Sequence, residues 1–282
     1  MRLHCRQSFS LACFALCLAL LSLLASPLGY AQVKPGIERL YILYCGELVA
    51  NDISLWSPGV NVGKSAEFSV NCYLVKHSQG WLLWDTGVAD AVAAMPDGER
   101  SNPRLTLRRS TTLASQLEQL GVAAGDIKYV AVSHRHLDHA GNLPLFSKST
   151  LLVQKAEADW NAPFGGVLTT TGEQSLTKIE GDYDVFGDGS LKLIATPGHT
   201  PGHQSLLVKL PKTGALLLSG DAVHFKSNWE NRGIPVNNFD KDKTAASMQR
   251  MADIMVKEKA QLWINHDKAQ SDNQKVAPGF YD

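Results

Sequence analysis

Short apolar runs recur along the 282-residue chain and constrain its fold more than any other feature. They are rich in valine, isoleucine, leucine and aromatic residues and are bounded by glycine, proline, asparagine or aspartate, which is typical of β-strands. Strands are predicted at nine of them: 40–44, 68–75, 81–85, 129–133, 150–154, 191–196, 205–210, 215–220 and 261–265. So many short strands must pack into sheets that bury at least one face.

Helical patterns lie between some of these runs. Leucines recur at helical spacing over 110–121, where Gly121 ends the pattern, and a second helix is predicted from about Asp242 to Glu258 with a methionine stripe on one face. No linker-like tract and no repeat divides residues 32–282. The order of elements predicts a single α/β (α+β) domain in which sheets pack together with helices outside.

The stretch SHRHLDHAGN (133–142) places three histidines and one aspartate within six positions, directly after a predicted buried strand. Imidazoles converge on one point only when a cation holds them, and neutral histidine is a natural zinc ligand. Unrelated surface histidines are the alternative. However, three of the eight histidines after residue 31 fall in this one loop, which favours a metal site.

Further histidines and an aspartate also follow predicted strands. TPGHTPGHQS, SGDAVHF and INHD place them beyond the strands at 191–196, 215–220 and 261–265, and only His77 stands outside the pattern. The residues concerned are His199, His203, Asp221, His224 and His266. Four strand-end loops that supply histidine and aspartate predict a two-metal site at one edge of a sheet.

The succession H-x-H-x-D-H, then H, D and H resembles the metallo-β-lactamase superfamily. The resemblance runs from LYILYCGEL through WDTG (84–87) to INHD, and the wording TPGHTPGHQSLLV together with CGEL most resembles N-acyl-homoserine lactonases. It implies an αββα sandwich of two mixed β-sheets flanked by helices. It also implies hydrolysis of the lactone ring of N-acyl-homoserine lactones, which is quorum quenching.

The resemblance further implies two Zn²⁺ per chain. One zinc would be held by His134, His136 and His199, the second by Asp138, His139 and His266, and both by a bridging Asp221. Seven ligands exceed what one tetrahedral zinc can take. A histidine at position 136 favours zinc over iron, which prefers carboxylate-rich sites.

Several residues have predicted roles beside the ligands. Asp138, Asp221 and His224 are the candidate catalytic residues; many lactonases have tyrosine where this chain has His224. Asp85 of WDTG is either an acceptor that orients a ligand histidine or a turn aspartate, and His203 is predicted to brace the loop after His199. The candidate pocket residues, each also explained as core, are Phe68, Leu137, Phe225 and Trp229.

Three other functions stay open. An exported metallo-β-lactamase fits the histidine motif, but such enzymes generally lack the bridging aspartate that SGDAVHF supplies. A phosphotriesterase-like hydrolase shares all seven ligands. A periplasmic zinc-binding protein would need ligands but no open coordination position, which a bridging Asp221 disfavours.

The first residues predict export. Arg2 and Arg6 precede an uncharged apolar run over 11–24, and small residues end the segment at Ala31, which is typical of a cleaved signal peptide. The run is shorter than the roughly 20 residues that a membrane anchor needs. Cleavage would leave a slightly acidic chain with two cysteines, Cys45 and Cys72, either paired or free. The charge argues against nucleic acid and membrane partners, and monomer and homodimer both remain open.

Overall fold

The computed structural model describes residues 36–161, 168 and 174–282. The predicted signal segment, residues 1–31, lies outside the described residues. The described residues belong to one compact unit. None of the helices in these ranges has the length and apolar character required to cross a bilayer.

Within the described ranges, eight strands form the first sheet. In spatial order they are β4 (Glu99–Asn102), β5 (Leu105–Arg108), β1 (Ile37–Ala50), β2 (Ala66–His77), β3 (Gly80–Trp84), β6 (Ile127–Ala131), β7 (Thr150–Gln154) and β8 (Leu176–Ile179). The strands from β4 to β3 pair antiparallel. The strands from β3 to β8 pair parallel, so the sheet is mixed.

Five described strands form the second sheet. In spatial order they are β13 (Gln261–Trp263), β12 (Gly214–Leu218), β11 (Gln204–Leu210), β10 (Leu191–Ala195) and β9 (Tyr183–Asp184). The β12–β13 pair is parallel and the others are antiparallel. Because β11 runs antiparallel to both β10 and β12, the chain leaves β10, β12 and β13 at the same edge.

The α-helices of the described residues are α1 (Leu113–Gln119), α2 (Leu137–Ala140), α3 (Lys155–Ala158), α4 (Lys226–Asn231), α5 (Lys241–Glu258) and α6 (Lys268–Ser271). The long helix α5 starts where the Asp240 side chain accepts a hydrogen bond from the Lys243 amide, which satisfies one of the free amides of the first turn. It ends at Lys259, whose left-handed backbone conformation stops the helix.

Three apolar clusters define the layers. Alternate residues of a strand point to opposite faces, so Leu43 packs towards α1 while Ile42 packs between the two sheets. Leu217, on the outer face of the second sheet, packs with Met248 and Met251 of α5. The resulting order of helix, sheet, sheet and helix confirms the predicted αββα sandwich.

All nine predicted strands are present, most with slightly different ends, and both predicted helices form. The pattern missed β4, β5, β8 and β9. The hairpin of β4 and β5 has mostly exposed or half-buried residues, so its sequence lacks an apolar alternation. The short β8 and β9 likewise have few buried residues.

Cys45 of β1 and Cys72 of β2 form a disulfide, with their Cα atoms 5.7 Å apart. Both are fully buried in the cluster beneath α1. The Cys45 carbonyl accepts a hydrogen bond from the Val88 amide, and a Cβ at Gly87 would collide with Cys45. The disulfide therefore packs directly against the loop that carries Asp85.

Candidate metal centre

The predicted ligands meet at one end of the sandwich because each follows a strand that ends there. The loop after β6 and the short helix α2 supply His134, His136, Asp138 and His139; β10 leads to His199, β12 to Asp221 and β13 to His266. The side chains are almost entirely buried, with His136 the most accessible. Strands that run in the same direction thus bring side chains from distant parts of the sequence together.

The structure brings all seven predicted metal ligands into two adjacent clusters. Each cluster places one side-chain atom per residue within 4.8 Å of the others. The first ligand group contains His134, His136, His199 and Asp221, and the second ligand group contains Asp138, His139 and His266. Asp221 also forms a cluster with His224 and His266, so it lies between the two ligand groups.

Imidazole nitrogens face one another at close range in both groups. Nδ1 of His136 lies 2.8 Å from Nε2 of His134 and 3.1 Å from Nε2 of His199. In the second group Nε2 of His139 lies 3.4 Å from Nε2 of His266. Neutral imidazoles cannot all donate to one another in such a cluster, whereas a shared cation can accept every lone pair.

The outward nitrogens of three ligand histidines have oxygen acceptors. Nδ1 of His139 donates to Asp85 (2.8 Å), and Nδ1 of His199 donates to Asn238 (3.2 Å). His266 donates in the same way to the Ser69 carbonyl at 2.9 Å. Such acceptors fix the tautomer and leave each Nε2 with a lone pair that points inward.

The charges of the cluster suit divalent cations. Burial lowers the pKa of His134 and His199 well below the usual value, so both rings are neutral. Burial also opposes protonation of His139, but Asp221, Asp138 and Asp85 outweigh it and raise the pKa of His139. Buried carboxylates that attract a proton so strongly also attract a metal ion. The donor set of imidazole and carboxylate therefore fits a divalent metal centre.

Asp85 orients the predicted ligand His139. Its backbone has a φ of 57°, and its carboxylate accepts hydrogen bonds from the Ser133 amide (2.6 Å) as well as from His139. Burial raises the pKa of Asp85, against the opposing effect of the nearby His139. The structure therefore supports the interpretation of Asp85 as an acceptor that orients His139.

His203 braces the loop that carries His199, as predicted, and also the loop of Asp221. Its Nε2 accepts a hydrogen bond from the Asp221 amide at 2.8 Å, and its Nδ1 donates to the Thr196 carbonyl at 3.0 Å. Burial lowers the pKa of His203 to about 3, so the ring stays neutral and can accept. Gly220 has a φ of +53°, and a Cβ there would lie 2.6 Å from the His203 ring, so glycine allows this contact.

Five of the seven predicted ligands line a cavity of about 680 Å³: His136, Asp138, His199, Asp221 and His266. Apolar residues form much of its wall: Leu48, Leu55, Trp56, Leu105, Leu107, Leu137 and Val236. Polar residues also contribute to the lining: Ser101, Asn102, Arg104 and Asn237. An organic molecule that enters this cavity reaches the ligand groups directly.

Only one of the four predicted pocket residues, Leu137, lines this cavity. Phe68 is fully buried in the core, where its ring packs against those of Trp56 and His266. Phe225 packs against Phe68, and Trp229 packs in the outer cluster with α5. The prediction of these three residues as pocket residues was wrong. Their positions in the sequence do not show whether their side chains point into the cavity or into the core.

His224 lies in the cavity floor beside the ligands. It is 1% exposed, its Nε2 is 3.2 Å from an Asp221 oxygen, and its Nδ1 has no hydrogen-bond partner among the described residues. Its ring stacks on that of His266, with 5.4 Å between the centroids. His224 is therefore close enough to contact a molecule bound at the centre.

Sequence reasoning missed Glu157, Asn238 and Ser69, which hold the ligand loops. Glu157 follows the predicted strand at 150–154, so the strand-end rule that found the ligands could also have found it. Asn238 and Ser69 act on histidines far away in sequence and had no comparable signal.

Comparison with known proteins gives consistent results. Residues 66–256 match the model of the metallo-beta-lactamase superfamily. The N-acyl homoserine lactonase AttM of Azorhizobium caulinodans is 32% identical over 264 residues, which cover 86% of this chain and 98% of that protein. An N-acyl homoserine lactonase of a Bacillus species is 31% identical over 254 residues, with 86% and 99% covered.

Solved structures show the same similarity. An N-acyl homoserine lactone hydrolase with the product N-hexanoyl-L-homoserine bound at its catalytic metal centre superposes with a TM-score of 0.78 at 28% identity. The match covers 87% of this chain and 99% of that one. A second quorum-quenching hydrolase of the same type gives a TM-score of 0.77 at 29% identity, with 87% and 98% covered.

Proposed function

The chain belongs to the metallo-β-lactamase superfamily and is a metal-dependent hydrolase, and we propose that it opens the lactone ring of N-acyl-homoserine lactones at a dinuclear zinc centre. The position of Asp221 carries this proposal. Its carboxylate lies 3.3 Å from Nε2 of His199 in the first ligand group and 3.1 Å from Nε2 of His266 in the second. One carboxylate can therefore bridge two ions at the floor of a cavity that is open to substrate.

Two bound zinc ions would polarise the lactone carbonyl and lower the pKa of a water molecule to about 7. The protein residues then have separate tasks. Asp221 and Asp138 can accept the proton that the attacking water gives up and return it to the leaving alkoxide. His224 donates a hydrogen bond to the carbonyl oxygen as negative charge develops there.

The rest of the cavity suits an acyl chain. Leu48, Leu105, Leu107 and Leu137 offer apolar surface beside the ligand groups. Burial of each methylene group of the chain contributes about 0.8 kcal/mol. The polar residues of the lining, among them Arg104, can form hydrogen bonds with the amide or with polar substituents of the acyl chain. The similarity to lactonases over most of the chain supports the same substrate class.

Zinc is the proposed metal because imidazoles form most of the ligand set. Five of the seven proposed ligands are histidines, which suit zinc, and two are carboxylates. The three outward acceptors of the ligand histidines are of the kind that orients zinc ligands.

A parallel assay on the purified protein tests the proposal. We expect elemental analysis to give about two zinc ions per chain, and we expect ring opening of an N-acyl-homoserine lactone to be much faster than hydrolysis of nitrocefin or paraoxon. Preference for paraoxon would favour a phosphotriesterase, and preference for nitrocefin a β-lactamase. One metal per fully active chain would contradict the dinuclear centre, and two metals without any hydrolysis would favour a zinc-binding protein.

We also propose that the protein is exported and cleaved after Ala31. The disulfide of Cys45 and Cys72 supports this, since disulfides persist mainly in oxidising compartments. Amino-terminal sequencing of the protein from the periplasmic and secreted fractions should start at Gln32. A protein found only in the cytoplasm with residues 1–31 intact would contradict the proposal.

A further inference from the structure

Glu157 is a buried carboxylate outside every motif of the sequence. It lies in α3, directly after β7, and its side chain is fully buried. Its Oε1 accepts a hydrogen bond from the Arg135 amide at 3.0 Å. Its Oε2 accepts from the Thr200 hydroxyl at 2.7 Å and from the Gly202 amide at 3.0 Å.

These bonds do not come from a charged side chain. The guanidinium of Arg135 donates to the Trp160 carbonyl at 2.6 Å, while the backbone amide of Arg135 is the group that reaches Glu157. Burial raises the pKa of Glu157, and its hydrogen bonds oppose that effect. A buried carboxylate without an ion-pair partner normally costs stability, so its position calls for a functional explanation.

The three donors lie beside histidines of the first ligand group, although the loop after β6 also leads to Asp138 and His139 in α2. Arg135 lies between His134 and His136, and Thr200 directly follows His199. Gly202 packs so closely that a Cβ there would collide with the backbone of Glu157. One carboxylate thus joins the loop after β6 to the loop after β10.

The second ligand group has other supports. His139 donates to Asp85 and His266 donates to the Ser69 carbonyl. Neither of these contacts involves Glu157, whose three hydrogen bonds all go to residues beside the first group. Loss of Glu157 should therefore affect the two groups differently.

We propose that Glu157 is a positioning residue that sets the distance between His136 and His199, and so tunes the first ligand group alone. This inference rests on the proposed dinuclear centre. The two histidines come from different sheets, and Nε2 of His199 lies only 3.1 Å from Nδ1 of His136. Small shifts of either loop would separate them.

Glu157→Gln tests the proposal with little change of volume. The carboxamide must place its NH₂ group against either the Arg135 amide or the Gly202 amide, because each oxygen of Glu157 accepts from one of them. Two N–H groups then face each other, so one loop must move. Asp159→Asn is the matched control, since Asp159 lies two residues further on and pairs with Lys155 and Lys178 at the surface.

The readout is ¹¹³Cd NMR of the protein loaded with cadmium, together with competition against a chromophoric chelator. Asp138→Asn identifies the resonance of the second group. We expect Glu157→Gln to shift or broaden only the other resonance and to weaken binding there about 10–100-fold, as loss of an outer partner typically does. Asp159→Asn should match the wild type in both resonances.

Each other outcome overturns the inference. Two unchanged resonances in Glu157→Gln would show that the carboxylate does not position the first group, while the dinuclear centre would stand. Equal weakening of both resonances would indicate a general loss of structure. A single resonance in the wild type would overturn the dinuclear centre as well.

Thr200→Val covers the case in which Glu157→Gln fails to fold. It removes only the hydroxyl donor and keeps both backbone hydrogen bonds to Glu157. We expect it to shift the same single resonance by a smaller amount. No shift in this variant would also overturn the proposal.

Discussion

The two ends of the cavity are built in different ways. At the metal end, buried side chains have hydrogen-bonded supports, as His139 has in Asp85 and His199 in Asn238. At the mouth, Ser101, Asn102 and Arg104 are exposed on the β4–β5 hairpin. From this difference we expect the two sheets to fix the chemistry, and the surface hairpin to influence the choice of substrate without disturbing the proposed metal ligands.

The largest effect is expected from Asp221→Ala, which removes the carboxylate that lies between the two ligand groups. Loss of the carboxylate would leave two cations without the negative charge between them. We expect the variant to lose at least one metal ion and to lose activity by more than the roughly 10–100-fold typical of outer partners. Elemental analysis and lactone hydrolysis measure both effects.

Asp97→Ala, at an exposed aspartate, is the control for this variant. If Asp221→Ala kept two metals and wild-type activity, its carboxylate would not bridge the metals. The proposed difference between a fixed metal end and a variable mouth of the cavity would then be wrong.

An intermediate effect is expected from His224, which borders both ends. A hydrogen bond to developing charge typically contributes about 2.7–4 kcal/mol. We expect His224→Ala to keep both metals and the fold but to lose at least about tenfold in kcat, a cautious fraction of that range. His224→Tyr should keep more activity because it restores a donor.

The kcat on lactone and the metal content of both His224 variants give the measurement. An unchanged kcat in the alanine variant would show that His224 takes no part in the reaction. Loss of one metal would instead assign it to the ligands, since it forms a cluster with Asp221 and His266.

The smallest effect is expected at the substrate end. Leu105→Ala removes apolar wall on the β4–β5 hairpin and should weaken binding of a long acyl chain by about 1 kcal/mol, or roughly fivefold in KM. Short-chain lactones and metal content should stay unchanged. Leu176→Ala, at a partly exposed leucine of β8 that does not line the cavity, is the control. Equal effects on long-chain and short-chain lactones would contradict the proposal that the hairpin binds the acyl chain.

The same contrast explains what the sequence could predict. His134 and Asp221 each follow an apolar strand, so a local pattern marks them as loop residues at the edge of a sheet. The same strands predicted packed sheets with helices outside, and the resemblance to the metallo-β-lactamase superfamily predicted their αββα order. These predictions succeeded because strand ends and ligand chemistry are local properties.

The remaining parts depend on contacts between distant residues. Phe68 lies on β2, and its alternation in the strand turns it into the core beside Trp56, although its residue type equally suits a pocket. The hairpin that supplies Arg104 lacks the alternation of apolar and polar residues that would predict a strand. Glu157 acts on loops more than twenty residues away in either direction along the chain, so no local spacing could reveal its partners.

The parallel pairing of β12 with β13 has a consequence for the order of events during synthesis. His266 follows β13, close to the carboxyl terminus, whereas His134 lies near the middle of the chain. A nascent polypeptide that has not yet emerged to residue 266 lacks a ligand of the second group and the last strand that positions it. The second ligand group therefore forms only after residue 266 has emerged, whereas all four residues of the first ligand group precede it in the chain.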